Sequence, residues 1–127
     1  MIKIIILILM HAAGDFLLQG SGLSKQKASK FSYLLLHVGI YTCLFIVLSP
    51  VLLGLTFMQG LIFSLINGGL HLVIDFFIGK IKLMFWQKNE NKYIAAISFD
   101  HFLHIIILIT TYILMYPEAF RSSLNLS

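Results

Sequence analysis

Four apolar stretches, each about as long as a bilayer is thick, hold all five histidines and all three aspartates of this 127-residue chain. They are Ile2–Gln19, Phe31–Leu53, Phe57–Gly79 and Tyr93–Tyr116. A spanning helix needs about 20 mostly apolar residues. Lipid offers no partner to backbone N–H and C=O groups, so a stretch of this kind must bond internally as a helix. The expected fold is all-α: a polytopic membrane protein built as a four-helix transmembrane bundle. Residues 1–127 then form a single transmembrane domain, with a polar tail at residues 117–127.

Composition points the same way. Apolar residues make up 59% and charged residues 11%, and the mean hydropathy is +0.95. A soluble domain carries about 25% charged residues. A disordered chain, a disulfide scaffold and an ordinary soluble enzyme are thereby excluded. Cys43 is the single cysteine, so neither an intrachain disulfide nor a cysteine-based zinc finger can form. The net charge of +4 comes from residues that flank the apolar stretches, which fits topology better than a nucleic-acid partner. Lys3, an apolar run and Ala12-Ala13-Gly14 imitate a signal peptide. His11 and Asp15 fit such a core poorly, so the segment is read as a span.

Lysine counting sets the expected orientation. Lys25, Lys27 and Lys30 lie in the connection Gly20–Lys30, and Lys80, Lys82, Lys88 and Lys92 in the connection Lys80–Lys92. Only Lys3 and Arg121 lie elsewhere. The positive-inside rule places both lysine-rich connections in the cytoplasm and both termini outside, in a bacterial-type cytoplasmic membrane. Lys25, Lys27 and Lys80 are candidate contacts to an anionic head group.

The buried polar residues are regularly spaced. His11 and Asp15, His71 and Asp75, and Asp100 and His104 are each four apart, hence on one helical face. The last pair is reversed, and its helix runs antiparallel to the other two. In all three helices the Asp therefore lies nearer the cytoplasm and the His about one turn deeper (roughly 5–6 Å). His37 falls at a similar depth. An aspartate at mid-bilayer costs on the order of 2.5–3.5 kcal/mol, so three of them demand partners or a function. His11-Ala-Ala-Gly-Asp15-Phe16 also resembles His71-Leu-Val-Ile-Asp75-Phe76, which suggests two parallel helical-hairpin repeats with a site between them.

Neutral imidazoles and carboxylates converging at one depth suit zinc, manganese or iron, as one or two ions. The candidate ligands are His11, Asp15, His71, Asp75, Asp100 and His104, with Asp15, Asp75 and Asp100 as candidates for general base. His37, His101, Asn67 and Gln19 extend the polar stripes as further ligands or orienting groups. The competing readings are a proton or ion relay and plain hydrogen bonding between helices. HExxH, GxSxG, P-loop and GxGxxG patterns are absent. Ser64 lies two turns from His71 and makes a weak nucleophile.

The run His11-Ala-Ala-Gly-Asp15-Phe16-Leu17-Leu18-Gln19 resembles the opening signature of a family of small bacterial and phage membrane proteins known only as a domain of unknown function. That family's later features resemble Lys25 or Lys27, His37, His71-Leu-Val-Ile-Asp75 and Asp100-His101-Phe102-Leu103-His104. His101 stands where the family usually has Gln. The resemblance covers roughly residues 8 to 110 and brings no activity. Its pattern is distantly like that of membrane-bound metal-dependent hydrolases, an analogy only.

The expected function is an intramembrane metal-dependent hydrolase. It would act on a lipid or amphiphilic ester or phosphoester from the cytoplasmic leaflet, in a chain able to form homo-oligomers. A metal-ion or proton transporter using the same layer is the alternative. A phage-type pore former or scaffold is a third reading, which the polar layer argues against. The nearly apolar outer halves of the helices, such as Ile4–Met10 and Ile105–Ile109, favour a one-sided cavity and hence an enzyme.

Overall fold

The computed structural model describes residues 1–17 and 26–124. The described residues are helical, without strands. Helix α1 covers Ile2–Ala12 and passes into a π-helical turn at Ala13–Leu17. Helices α2, α3 and α4 cover Phe31–Leu53, Phe57–Phe85 and Glu90–Met115, and a short α5 covers Pro117–Ser123. Helices α2, α3 and α4 are long and apolar enough to cross a membrane. Val47, Val51 and Leu114 are each at least 65% exposed. Apolar side chains on the exterior of spanning helices need lipid, and the chain is accordingly a membrane protein.

Helix α2 packs along α3 and α3 along α4, while α1 and its π turn lie against α2. Small residues make the α2–α3 approach possible. A Cβ on Gly60 would stand 2.6 Å from Pro50 Cγ, and one on Gly68 would overlap the Thr42 hydroxyl. The helices are joined at Gly54, whose φ of +68° is the left-handed conformation that reverses the chain after α2. Thr56 then opens α3 with a capping box. Its hydroxyl accepts from the Gln59 N–H (3.2 Å), and its own N–H donates to Gln59 Oε1 (2.9 Å).

The apolar core is formed by Leu7, Met10, Tyr41, Phe45, Leu53, Phe63, Leu108 and Tyr112. On every helix these residues lie mainly on the far side of the His/Asp layer from the lysine-rich connections. One end of that layer is therefore closed by packed aromatic and aliphatic side chains.

Three boundaries differ from the sequence expectation. Helix α3 continues through Phe85 instead of ending near Gly79, and α4 begins at Glu90 instead of Tyr93. Lys80 and Lys82 are therefore helical residues, not loop residues. Charged side chains leave the backbone bonds of a helix intact. The chain turns only at Gln87, with φ +59°, before the Asn89 side chain caps α4 by accepting from the Lys92 N–H at 3.0 Å. In the first span, the α-helix gives way to the π turn at Ala13, well before Gln19. The expected polar tail opens with Pro117 at the start of a helix, where its fixed φ and missing N–H suit the first turn.

Candidate metal centre

Helix α3 supplies the spine of the site. His71 and Asp75 are one turn apart and pair within the helix, with Nε2 to Oδ2 at 3.4 Å. Helix α2 brings His37, whose Nε2 lies 3.0 Å from His71 Nε2 and 3.4 Å from Asp75 Oδ2. The π turn carries Asp15, whose Oδ1 lies 3.1 Å from His37 Nε2 and 3.8 Å from His71 Nε2. Widening of the helix at this turn breaks the equivalence that the shared four-residue spacing implied. Asp15 meets His37, His71, His101 and Lys27 across the interface. π turns of this kind recur at functional sites.

These four atoms form a small cage. Zinc binds His nitrogen and carboxylate oxygen at about 2.0–2.2 Å in tetrahedral geometry, which sets ligand-to-ligand edges of roughly 3.3–3.5 Å. The five edges quoted run from 3.0 to 3.8 Å. Lys27 Nζ caps one face of the cage, at 3.4 Å from Asp15, 3.2 Å from His37 and 3.0 Å from Asp75. Burial opposes the charge on this ammonium. The carboxylates of Asp75 and Asp15 outweigh that opposition and raise its pKa above the ordinary lysine value.

A second group shares Asp75. Ligand atoms of Asp75, Asp100 and His104 lie within 4.8 Å of one another. Asp75 turns Oδ2 to the first cage and Oδ1 to His104 Nε2, 3.7 Å away. His104 Nδ1–H donates to the Asp100 carbonyl at 2.8 Å, which leaves Nε2 as the lone-pair nitrogen facing Asp75. Asp100 Oδ2 accepts from Lys82 Nζ at 2.6 Å.

Several polar atoms here are buried without a hydrogen-bond partner: His11 Nε2, His37 Nδ1, His71 Nδ1, His104 Nε2, Asp75 Oδ1 and Asp100 Oδ1. Each such atom costs about 1–3 kcal/mol. Asp75, Asp100 and His104 of the second group each contribute one such atom, and a cation held by that group would offer these residues a partner. The residues present therefore fit one or two divalent metals.

The expected ligands distribute unevenly. Asp15, His71, Asp75, Asp100 and His104 fall into the two groups, joined by His37. His11 stands outside both: its Nδ1 meets the Tyr41 hydroxyl at 3.4 Å and its ring stacks on His104 at 5.3 Å. His101 lies at the edge, with Nε2 3.4 Å from Asp15 Oδ2 and Nδ1–H donating to the Ile97 carbonyl. Asn67 donates to the Phe63 carbonyl one turn back in its own helix, at 2.9 Å, instead of orienting a ligand. Ser64 likewise donates to the Gly60 carbonyl. Gln19 and Lys25 lie outside the described residues. Lys80 is exposed, its ammonium 4.0 Å from the centre of the Phe76 ring. Lys27, expected at a head group, is instead turned into the layer, where Asp15 and Asp75 both pair with its ammonium.

Two residues escaped the sequence reading as members of the site. Lys82 lies seven residues after Asp75, two turns along the same face, and that spacing was available to find it. Tyr41 stacks on His71 at 4.2 Å and holds His11. Its place one turn beyond His37 was the signal. A Cβ on Gly14 would stand 2.8 Å from the Tyr41 ring, so glycine there lets the tyrosine reach the imidazoles.

A family model described as "Protein of unknown function (DUF3307)" matches residues 4–126. No curated protein and no solved structure matches the chain.

Proposed function

We propose that this chain, which belongs to the DUF3307 family of proteins of unknown function, is an intramembrane metal-dependent hydrolase. The observation that carries the reading is the Asp15/His37/His71/Asp75 cage, with edges of metal-site length and a second group sharing Asp75. A divalent cation held there would supply Lewis-acid polarisation of an ester or phosphoryl oxygen and an acidified water. Asp15, His37, His71 and Asp75 would hold the first ion, and Asp75, Asp100 and His104 a second. With the first ion alone, Asp100 would serve instead as the general base that takes the proton from the attacking water. In the net reaction, water oxygen forms the new bond to the acyl or phosphoryl centre. The bond to the alcohol oxygen breaks, and that oxygen leaves with a proton.

In this reading the chain is a four-helix transmembrane bundle of two hairpins, α1–α2 and α3–α4, with α1 completing the span through its π turn. Both termini lie outside and the lysine-rich connections in the cytoplasm. The core around Phe45, Phe63 and Tyr112 closes the outer side, so an amphiphile enters from the cytoplasmic leaflet. Cysteines placed at Ser29 and Asn89 in a Cys43→Ala background are expected to resist an impermeant maleimide in intact cells and to react after permeabilisation. Labelling of both from outside would invert the topology and the leaflet.

Transport of a metal ion or proton is the second reading. The buried Lys27–Asp15–Asp75 set favours it, since such charges also build relays. Purified protein in vesicles separates the two. Near-stoichiometric zinc, manganese or iron, with turnover of native lipid extract and no ion flux, is the expected outcome. Flux that Asp75→Asn abolishes, without lipid turnover, would replace the hydrolase with a transporter.

A further inference from the structure

We infer that the substrate of this site carries a phosphate monoester, and that Lys27 and Lys82 are the clamp that binds it. The inference rests on the metal-hydrolase reading and names the substrate class for it. Its starting point is that both ammoniums are held by the same carboxylates that would ligate metal. Lys27 pairs with Asp15 and Asp75, and Lys82 with Asp100. The two lysines reach this layer from different parts of the chain, one from the first connection and one from the last turns of α3. Their side chains are only 9% and 14% exposed, so neither is a solvated surface charge.

Charge decides what else the layer must hold. With the imidazoles neutral, three carboxylates against two ammoniums leave one negative charge. One divalent ion turns that into one positive charge, and a second ion turns it into three. Each ion also takes carboxylate oxygens away from the lysines. In a poorly polarisable interior, unpaired ammoniums beside metal ions are costly, and an anion bound in the layer would offset that cost. A carboxylate or sulfate ester brings a single charge. A phosphate monoester brings up to two charges and three oxygens, enough to accept from both lysines and still meet a cation. The carboxylates that the two ammoniums hold, Asp75 and Asp100, have ligand atoms within 4.8 Å of each other, so the two lysines converge on one cluster of carboxylates.

The test is phosphate binding by the full chain in detergent, before and after zinc loading, with zinc content measured separately. Titration calorimetry with inorganic phosphate reads the clamp. A short-chain phosphatidate in mixed micelles distinguishes a lipid monoester from the free ion. Zinc-loaded wild type should bind both, the phosphatidate more tightly, and sulfate weakly. Lys82→Met should weaken phosphate binding by about tenfold or more at unchanged zinc content, the size expected for losing a charge-assisted hydrogen bond. Lys82→Arg should restore most of it. Lys27→Met should act alike, and Lys82→Met carries the test if that variant misfolds. Inorganic phosphate bound more tightly than the phosphatidate would make the free ion the ligand and overturn the ester. Zinc-loaded protein that ignores phosphate, or binds it equally in both methionine variants, would overturn the clamp alone. A chain that takes up no zinc would overturn the metal reading and this inference with it.

Discussion

Replacing Asp75 by asparagine is expected to strip the protein of bound metal. Asp75 is shared by both groups, with Oδ2 in the first cage and Oδ1 facing His104 in the second. Asparagine keeps the shape of the side chain, so the packing of α3 survives. What it loses is the anionic charge that a divalent ion needs at two places at once. Loss of an orienting partner outside the ligand set costs 10–100-fold in metal affinity, so loss of a shared ligand should exceed about 100-fold. His11→Ala is the contrast, because His11 belongs to neither group. It should retain most of the metal. Elemental analysis and zinc titration of the two variants beside wild type give the answer. Asp75→Asn protein that retained wild-type metal would remove Asp75 from the ligand set.

Gly60→Ala should cost roughly 1–3 kcal/mol of stability, because the added methyl must enter a closed contact. Its Cβ would stand 2.6 Å and 2.8 Å from Pro50 Cγ and Cδ, and 2.8 Å from Ser49 Oγ. The pyrrolidine ring is rigid and cannot swing aside. Gly68→Ala meets the Thr42 hydroxyl, which can turn about χ1, so its cost should be smaller and should largely disappear in a Thr42→Ala background. Gly39 and Gly69 have nothing within 4 Å of an added Cβ. Alanine at either should be neutral or stabilise by up to about 1 kcal/mol through helix propensity. Thermal unfolding in detergent ranks the four variants. Equal effects at all four glycines would mean that α2 and α3 do not meet at Gly60.

How far the site could be read in advance depended on the kind of signal each residue carries. His71, Asp75, Asp100 and His104 sit on regular α-helix, where a spacing of four fixes a common face. Their pairing within each helix, His71 with Asp75 and Asp100 with His104, follows from periodicity. Asp15 also shows the spacing of four, but its helix has widened into a π turn. Nothing in Ala-Gly-Asp-Phe-Leu announces that change, so its partners came from across the interface. Asn67 has the right spacing too, yet its amide found a carbonyl in its own helix, a local bond open to any such side chain.

Apolar length and the absence of charge were enough to make this an all-helical membrane chain, because lipid leaves the backbone no other way to satisfy its N–H and C=O groups. That the His and Asp residues of different helices meet in one layer was equally legible, since the rise per residue converts position into height along each helix. The end of α3 was not, because hydropathy falls at Lys80 while backbone hydrogen bonds continue to Phe85. Nor was the inward turn of Lys27. A lysine in a connection has no periodicity to follow, and its direction is set by whichever carboxylates the packed helices present. Which imidazole meets which carboxylate, with Asp75 between two groups and His11 outside both, depended on how the four helices pack, the approach of α2 to α3 setting where His37 meets His71 and Asp75. That approach is governed by contacts such as Gly60 with Pro50, between residues on separate helices, and no single-helix pattern encodes it.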